Sequence, residues 1–312
     1  MSAAPENRNH SWLDRPIFSI FPALTGEMLI FTLIIILAIV SRLYNLGARV
    51  MSHDENLHTY FSWLFSIGKG YQHTPLMHGP LQFHLLALIY LFFGASDFTA
   101  RFPQAIASIL TILLLWKWQR YLGRAGTLVA AALTLISPFM LYYGRYTRNE
   151  AFIGVFFLLT LYAILRYLET GKKRYLILLT IATVLHFTSK ETAFIYTAQA
   201  MLFLAVYLIN RVSRAHWKNN AILNGFLIAL SIGILVAGSA LGLTIYNRTQ
   251  VASDASQTAS PIIPGQLPGA TASLIKQLSS VSTLLIVACC AFLIAAILLL
   301  VGYGWKNLCR ER

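Results

Sequence analysis

The residues most able to do chemistry in this chain begin with His53-Asp54-Glu55. Two carboxylates stand side by side there, although the 312 residues include only eleven acids. A carboxylate can accept the proton of an attacking hydroxyl, so the pair is a candidate general base. The alternative is structural, with Asp54 capping a helix and Glu55 complementing the helix dipole in the first turn.

Five of the eight histidines fall in the same stretch: His53, His58, His73, His78 and His84. The order His-Asp-Glu-x-x-His differs from the zinc-binding order His-Glu-x-x-His, because here only Asp54 and His58 are four residues apart. Histidines also serve as ordinary hydrogen-bonding residues. A divalent metal and simple hydrogen bonding therefore stay open as alternatives, and no other cofactor is indicated.

A second polar group contains Arg145, Arg148 and Glu150. Arginines three residues apart share a helix face, and guanidinium groups fork onto phosphate oxygens, so one interpretation is a phosphate site. The other is that both arginines snorkel from the end of a membrane span, with Glu150 as their partner.

A third polar group, Lys190-Glu191, lies in a short connection between two apolar runs. If those runs cross a membrane, the connection keeps the pair close to the hydrocarbon layer, where charges are costly. It is either part of a site or a self-paired hinge. Arg42, near the outer end of the first apolar run, is ambiguous in the same way.

The rest of the sequence indicates what positions these groups. Hydrophobic residues make up 57% of the chain and charged residues 11%. Apolar runs near the roughly 20 residues that cross a bilayer recur at short intervals, which predicts an all-α polytopic membrane protein. The net charge of +13 comes from basic residues in short loops, which is typical of membrane topology and not of a nucleic-acid partner.

Eight transmembrane helices are predicted, at 26–46, 103–118, 125–143, 151–168, 174–189, 192–210, 221–246 and 281–303. The run 79–94 is excluded, because its 16 residues would rise about 24 Å against a hydrocarbon core of roughly 30 Å. With eight spans and a cytoplasmic N-terminus, 15 of the 24 basic residues lie inside, whereas a ninth span would leave 8 inside. The distribution of positive charge therefore favours eight.

The predicted organisation is a cytoplasmic tail at 1–25, a membrane module at 26–210 and two further transmembrane helices within 211–312. The module has a large outer loop at 47–102, and a second outer loop lies at 247–280. This topology places all three polar groups on one face, which is extracytoplasmic.

Two interfacial helices, 54–68 and 79–94, are predicted in the first outer loop. The first has apolar residues at the spacing of an amphipathic helix: Leu57, Tyr60, Phe61, Leu64 and Phe65. Such a helix lies along the headgroup layer in contact with membrane lipids and does not cross the bilayer.

Over roughly residues 26–200 the chain resembles the membrane module of the GT-C glycosyltransferases. It is similar to protein O-mannosyltransferases and to the aminoarabinose transferase of lipid A, within the dolichyl-phosphate-mannose-protein mannosyltransferase-like group. The resemblance rests on His53-Asp54-Glu55, Pro80-Leu81, Phe92-Phe93-Gly94, Ala100-Arg101-Phe102-Pro103, Ser137-Pro138 and Arg145-x-x-Arg148-x-Glu150.

The resemblance implies a cell-membrane enzyme that transfers a sugar, with inversion, from a polyprenyl-phosphate donor to the hydroxyl of an unknown acceptor. Asp54 would be the general base, and Glu55 would help to orient it. The implied phosphate ligands are Arg145, Arg148, Lys190 and Arg42. The implied positioning residues are His53, His78, Glu150 and Glu191.

The chain departs from that family in having fewer predicted spans, and in having Glu150 where Asp is common. The shorter chain favours a second hypothesis, a non-catalytic accessory subunit that works with a partner membrane subunit. A transporter is a third hypothesis. It is disfavoured because transporters place ionisable groups near the bilayer midplane, whereas here they lie at span ends.

Overall fold

The computed structural model describes residues 25–71, 78–257, 269–305 and 307, with side chains described at 25–71, 78–246, 281–305 and 307. The predicted tail 1–25, apart from Thr25, lies outside the described residues, as does His73. Within the described residues the regular elements are eleven α-helices and one short 3-10 helix, which confirms the all-α class.

The helices run in the order α1 Gly26–Leu43, α2 His53–Ser66, α3 Leu81–Phe93, α4 Asp97–Leu115, α5 Gln119–Ile136, α6 Pro138–Tyr143, α7 Glu150–Thr170, α8 Lys173–Phe187, α9 Ala193–Ser213, α10 Asn220–Gln257 and α11 Gly269–Gly302. The 3-10 helix Trp116–Trp118 joins α4 to α5. Two compact units, Met1–Phe203 and Leu204–Arg312, divide the chain inside α9.

Six segments of the described residues are long and apolar enough to cross a membrane: Gly26–Leu43, Asp97–Ile136, Glu150–Thr170, Ala193–Ser213, Asn220–Tyr246 and Val281–Gly302. This differs from the eight predicted spans for two reasons. The helices α4 and α5 follow each other without a break and enter this count as one segment of 40 residues, although the chain reverses direction at Gly123. The helix α8, at 15 residues, is shorter than the roughly 20 that cross a bilayer. The helix α3, expected not to span, has 13 residues.

The helices α1 and α5 run in the same direction. Near their starts, Glu27 Oε2 lies 3.4 Å from Arg124 Nε. Near their ends, Arg42 donates to the carbonyl oxygen of Leu135 at 3.1 Å.

The helix α4 runs opposite to α1, because Arg101 near its start donates to the carbonyl of Leu46, just past the end of α1, at 3.0 Å. The chain turns back at Gly123, whose φ of 70° suits glycine. Helix α4 starts at Asp97, six residues before the predicted start at 103. Its cap is Ser96, and Pro103 lies inside the helix at the cost of one main-chain hydrogen bond.

The core of the first unit is built around α4. One cluster joins α1, α4 and α5 through Phe31, Ile34, Ala38, Ile112, Leu115, Leu128 and Ala131. A second joins α4 to α7 through Ala107, Ala151, Phe152, Val155 and Phe156. Small and large side chains interdigitate in both clusters, so α4 is fixed from two sides.

The helix α2 buries its polar side. Its buried residues are Glu55, His58, Thr59 and Ser62. The predicted apolar residues from Leu57 to Phe65 are exposed or half-buried instead. The apolar face therefore points away from the unit, as a helix lying against lipid requires.

The second unit is described by α10 and α11, which pack through Phe226, Ala229 and Ala295. The helix α10 continues to Gln257, about ten residues into the predicted outer loop. Nothing in that stretch stops a helix, since the next proline is Pro261.

Candidate active site

The three polar groups meet at one end of the first unit. They come from the start of α2, from the loop before α7 and from the turn between α8 and α9. Lys190, just after α8, lies 2.6 Å from Glu150 at the start of α7, so these two helices are antiparallel and their polar ends coincide. Arg148 joins this pair to α2 through Asp54.

Asp54 presents a half-exposed carboxylate, with 50% of its side chain accessible. Arg148 Nη1 donates to its Oδ2 at 2.8 Å, and His53 Nδ1 lies 3.8 Å from its Oδ1. Helix α2 begins at His53 with Ser52 as its N-cap, so the predicted capping role of Asp54 was wrong. The carboxylate is therefore left accessible beside a guanidinium group.

Glu55 has the opposite environment, because its side chain is fully buried and accepts five hydrogen bonds. Arg101 donates to both carboxylate oxygens at 2.8 and 3.0 Å, and Arg49 donates to Oε2 at 2.8 Å. The backbone N–H groups of Ser52 and Thr147 each donate at 3.1 Å. Burial alone would raise the pKa of Glu55, but these hydrogen bonds hold it below its usual value.

Arg148 is shared between several partners. Its Nε lies 3.7 Å from Glu150 Oε1, and its Nη2 lies 3.4 Å from His78 Nε2. His78 Nδ1 in turn lies 2.9 Å from Glu191 Oε2. Burial would raise the pKa of Glu191, but a backbone hydrogen bond and the contact with His78 lower it. One continuous network thus runs from Asp54 to Glu191.

The segment that carries His78 is tied to the turn after α8. His78 itself has a φ of 64°, unusual for a residue with a side chain. The N–H groups of Gly79 and Leu81 donate to the carbonyls of Ser189 and Thr188 at 3.0 and 2.9 Å. A Cβ at position 79 would overlap the Thr188 carbonyl, so only glycine fits.

Two of the predicted phosphate ligands lie apart from this network. Arg42 is buried and donates to Ser41, Ser108 and the carbonyls that end α5. Arg145 donates to the carbonyls of Ser41 and Asn45 at 2.6 and 3.3 Å. Both arginines therefore satisfy helix C-termini in this structure.

Two further arginines were not predicted as site residues. Arg49 and Arg101 hold Glu55, and with Arg145 they line a pocket of about 360 Å³. Burial and the charges of Arg101 and Arg49 lower the pKa of Arg145. Arg101 stands in the Ala-Arg-Phe-Pro motif, which was the available signal, whereas nothing in the sequence marks Arg49.

His58 lies on the buried face of α2, directly under the network. Burial is the main reason that its pKa falls to about 4. The charges of His78 and Arg148 lower it further, against the opposing effect of Glu150 and Asp54. The ring, which packs 5.1 Å from that of a phenylalanine in α3, is therefore neutral at pH 7.

Of the two alternatives left open for the histidines, a metal site formed by His53, Asp54 and His58 is not what the structure shows. His53 is 99% exposed, whereas His58 is buried, so the two do not share a face with Asp54 between them. Among the residues that the structure describes, no three His, Cys, Asp or Glu side chains are placed to hold a metal ion.

Comparison with known proteins decides the family. A family profile described as dolichyl-phosphate-mannose-protein mannosyltransferase matches residues 77–237, more than half of the chain. The chain belongs to this family. Searches of curated proteins and of solved structures found no match.

Membership makes the protein a membrane glycosyltransferase of the GT-C type, with a lipid-linked sugar as its donor. The matched region begins before α3 and ends within α10, so it contains Arg148, Glu150, Lys190 and Glu191. Asp54 lies before it. The polar network of this glycosyltransferase therefore joins residues inside the matched region to the carboxylate of α2.

Proposed function

We propose that the enzyme transfers a sugar from a polyprenyl-phosphate donor to a hydroxyl acceptor at the end of the first unit where the network lies. The observation that carries this proposal is the half-exposed Asp54 carboxylate next to Arg148, with Lys190 in the same network. A base and two cations stand side by side there, as attack on a phosphate-activated sugar requires.

In the proposed reaction the acceptor hydroxyl attacks the anomeric carbon of the sugar, and its proton passes to Asp54. The bond between that carbon and the phosphate oxygen breaks, and the lipid phosphate leaves with the bonding electron pair. Attack opposite the leaving phosphate inverts the anomeric centre. No oxidant, reductant or metal is needed for this balance.

The donor phosphate is assigned to Arg148 and Lys190. Guanidinium groups bind phosphate oxygens in a forked geometry, and an ammonium adds a point charge. In the structure both cations are paired with carboxylates, Arg148 with Asp54 and Lys190 with Glu150. A bound phosphate would compete for Arg148, so donor binding would release the base at the moment when it is needed.

A groove beside the network supports a lipid-linked donor. It has a volume of about 350 Å³ and a wholly apolar lining that includes Leu81, Leu85, Phe102, Ile106, Phe156 and Leu185. Leu81 is bonded to the turn that carries Lys190, through Thr188. A polyprenyl chain in this groove would place its phosphate near Lys190.

The remaining network residues are proposed to position these groups. Glu150 and Glu191 hold Lys190 and His78, and His53 flanks Asp54. Glu55 orients the start of α2 through its buried contacts. With the N-terminus cytoplasmic, as the distribution of basic residues predicts, the active face is extracytoplasmic.

The deciding experiment measures transfer of label from a radiolabelled polyprenyl-phosphate sugar in membranes that contain wild-type enzyme or Asp54→Asn. Loss of a general base should lower transfer at least about 100-fold. The matched control is Glu169→Gln, which removes an acid paired with Arg166 and Arg120, away from Asp54. Transfer by Asp54→Asn at the control rate would rule out Asp54 as the base.

A further inference from the structure

A third pocket lies on the other side of α2, between that helix and the turn from α3 to α4. Its volume is about 450 Å³, and its lining includes Asn56, Tyr60, Trp63, Tyr90 and Asp97. None of its lining residues is basic, in a chain of net charge +13. The proposed chemistry at Asp54 does not use it.

Two aromatic rings form one wall of the pocket. Tyr60 and Trp63 are 54% and 38% exposed, although α2 has other residues to place against lipid. Their ring centroids lie 6.2 Å apart with 36° between the ring planes. Residues three apart on a helix share a face, so the two rings make one gently bent platform.

Two polar side chains of the pocket lining, Asp97 and Asn56, are open to solvent. The carboxylate of Asp97 and the amide of Asn56 make no hydrogen bond or ion pair within the part of the chain that the structure describes. Both side chains are exposed and can exchange water for ligand hydroxyls. Together they offer two acceptor oxygens on the carboxylate and both a donor and an acceptor on the amide.

This combination matches a sugar ring better than an ammonium group. An aromatic cage for a cation surrounds it with ring faces, whereas Tyr60 and Trp63 lie side by side and Tyr90 is buried. A pyranose has a flat apolar face of C–H groups that stacks on such a platform. Its hydroxyls then reach the carboxylate and the amide at the rim.

We propose that this pocket binds a sugar ring of a glycan acceptor, which rests on the function proposed above. At about 100° per residue, Asn56, Tyr60 and Trp63 lie on the side of α2 opposite Asp54. A helix with its side chains is about 10–12 Å across. One sugar ring cannot touch both sites, so the acceptor is an oligosaccharide that passes round the start of α2.

The test uses the full-length enzyme in lipid nanodiscs on a printed array of neutral and acidic oligosaccharides. Wild type should bind at least one neutral oligosaccharide, and Trp63→Ala should bind it roughly tenfold less tightly. Trp63→Phe, which keeps a ring, should recover most of the binding. The control Phe92→Ala removes an exposed ring outside the pocket, 71% exposed against 38% for Trp63, and should bind as wild type does.

A second experiment tests sugar binding by this pocket separately from the transfer reaction proposed at Asp54. Asp54→Asn should retain wild-type binding on the array. With the bound oligosaccharide as acceptor, Trp63→Ala should raise the KM roughly tenfold at unchanged kcat. Array binding without any transfer by wild type would leave the pocket as a sugar site and overturn the transfer reaction at Asp54.

Several results would overturn the inference. Equal binding by wild type and Trp63→Ala would do so, as would the absence of any oligosaccharide bound by wild type. A response of wild type to phosphoethanolamine, lost in Trp63→Ala and Asp97→Asn and accompanied by no sugar binding, would make this an amine site.

Discussion

Asp54 and Glu55 are adjacent in sequence and opposite in environment. Glu55 is fully buried and accepts five hydrogen bonds, whereas Asp54 is half exposed and bound by one arginine. About 100° of helical rotation separates the two side chains, which is enough to turn one into the unit and leave the other outside. The comparison shows that adjacent acids at the start of a helix can have separate roles. Glu55 stabilises the fold, and Asp54 is accessible for chemistry.

The largest effect should follow Glu55→Gln. The change leaves the buried Arg101 without its carboxylate, and breaking a buried ion pair costs about 3–5 kcal/mol. The midpoint temperature of thermal unfolding in detergent should therefore fall strongly. Asp54→Asn, the matched control, should change stability by less than about 1 kcal/mol. Equal shifts in the two variants would mean that the environments are not different.

The buried environment of Glu55 should also make the stability of the protein depend on pH in the acid range. The pKa of Glu55 is lower in the folded state than in the unfolded state, so its contribution to stability is complete above the unfolded value of about 4.3. That contribution is lost as the pH falls through the lower folded value. Glu55→Gln should remove this loss, so its stability should depend less on pH in that range.

The next effect compares two arginines, Arg148 beside Asp54 and Arg145 beside the Glu55 cluster. Arg148→Gln should lower kcat/KM for the lipid-linked donor roughly 100-fold, because it removes the proposed contact to the leaving phosphate. Arg145→Gln should lower kcat/KM less than about fivefold and should mainly weaken the fold, since it loses carbonyl contacts. The labelled-donor assay measures both.

The reverse result would move the phosphate. If Arg145→Gln lost the larger factor, the donor phosphate would belong in the pocket lined by Arg49, Arg101 and Arg145. Arg148→Lys serves as a further control, because it keeps the charge and loses the forked geometry.

The smallest effect concerns His53. It is 99% exposed and 3.8 Å from Asp54, and exposed ion pairs contribute little. His53→Ala should keep sugar transfer within about twofold of wild type in the same assay. A loss of tenfold or more would show that the exposed side of this pair also takes part in the reaction.

Sequence reasoning predicted the convergence of the polar groups well. The placement of basic residues put the stretches around Asp54, Arg148 and Lys190 on one face, and the structure joins them in one network. Charge at a span end is a strong signal because it is costly in hydrocarbon. The class of fold followed from the same rule.

The buried side of the site was not predictable in the same way. Polar residues in an amphipathic helix normally face water, so the apolar pattern from Leu57 to Phe65 predicts that the polar side of α2 is exposed. The helix instead turns Glu55, His58 and Ser62 inward, toward partners such as Arg101 that are distant in sequence. Single-sequence periodicity shows that a helix has two faces, but not which partners each face meets.

The contacts of Glu55 also set an order in which the surface around Asp54 is completed during synthesis. Ser52 and Arg49 are made before Glu55, but Arg101 follows 46 residues later and Thr147 follows 92 residues later. A chain that has not yet reached the loop before α7 lacks one of the five donors to this carboxylate and also lacks Arg148 beside Asp54. The surface that carries Asp54 is therefore completed only when nearly half of the 312 residues have been made.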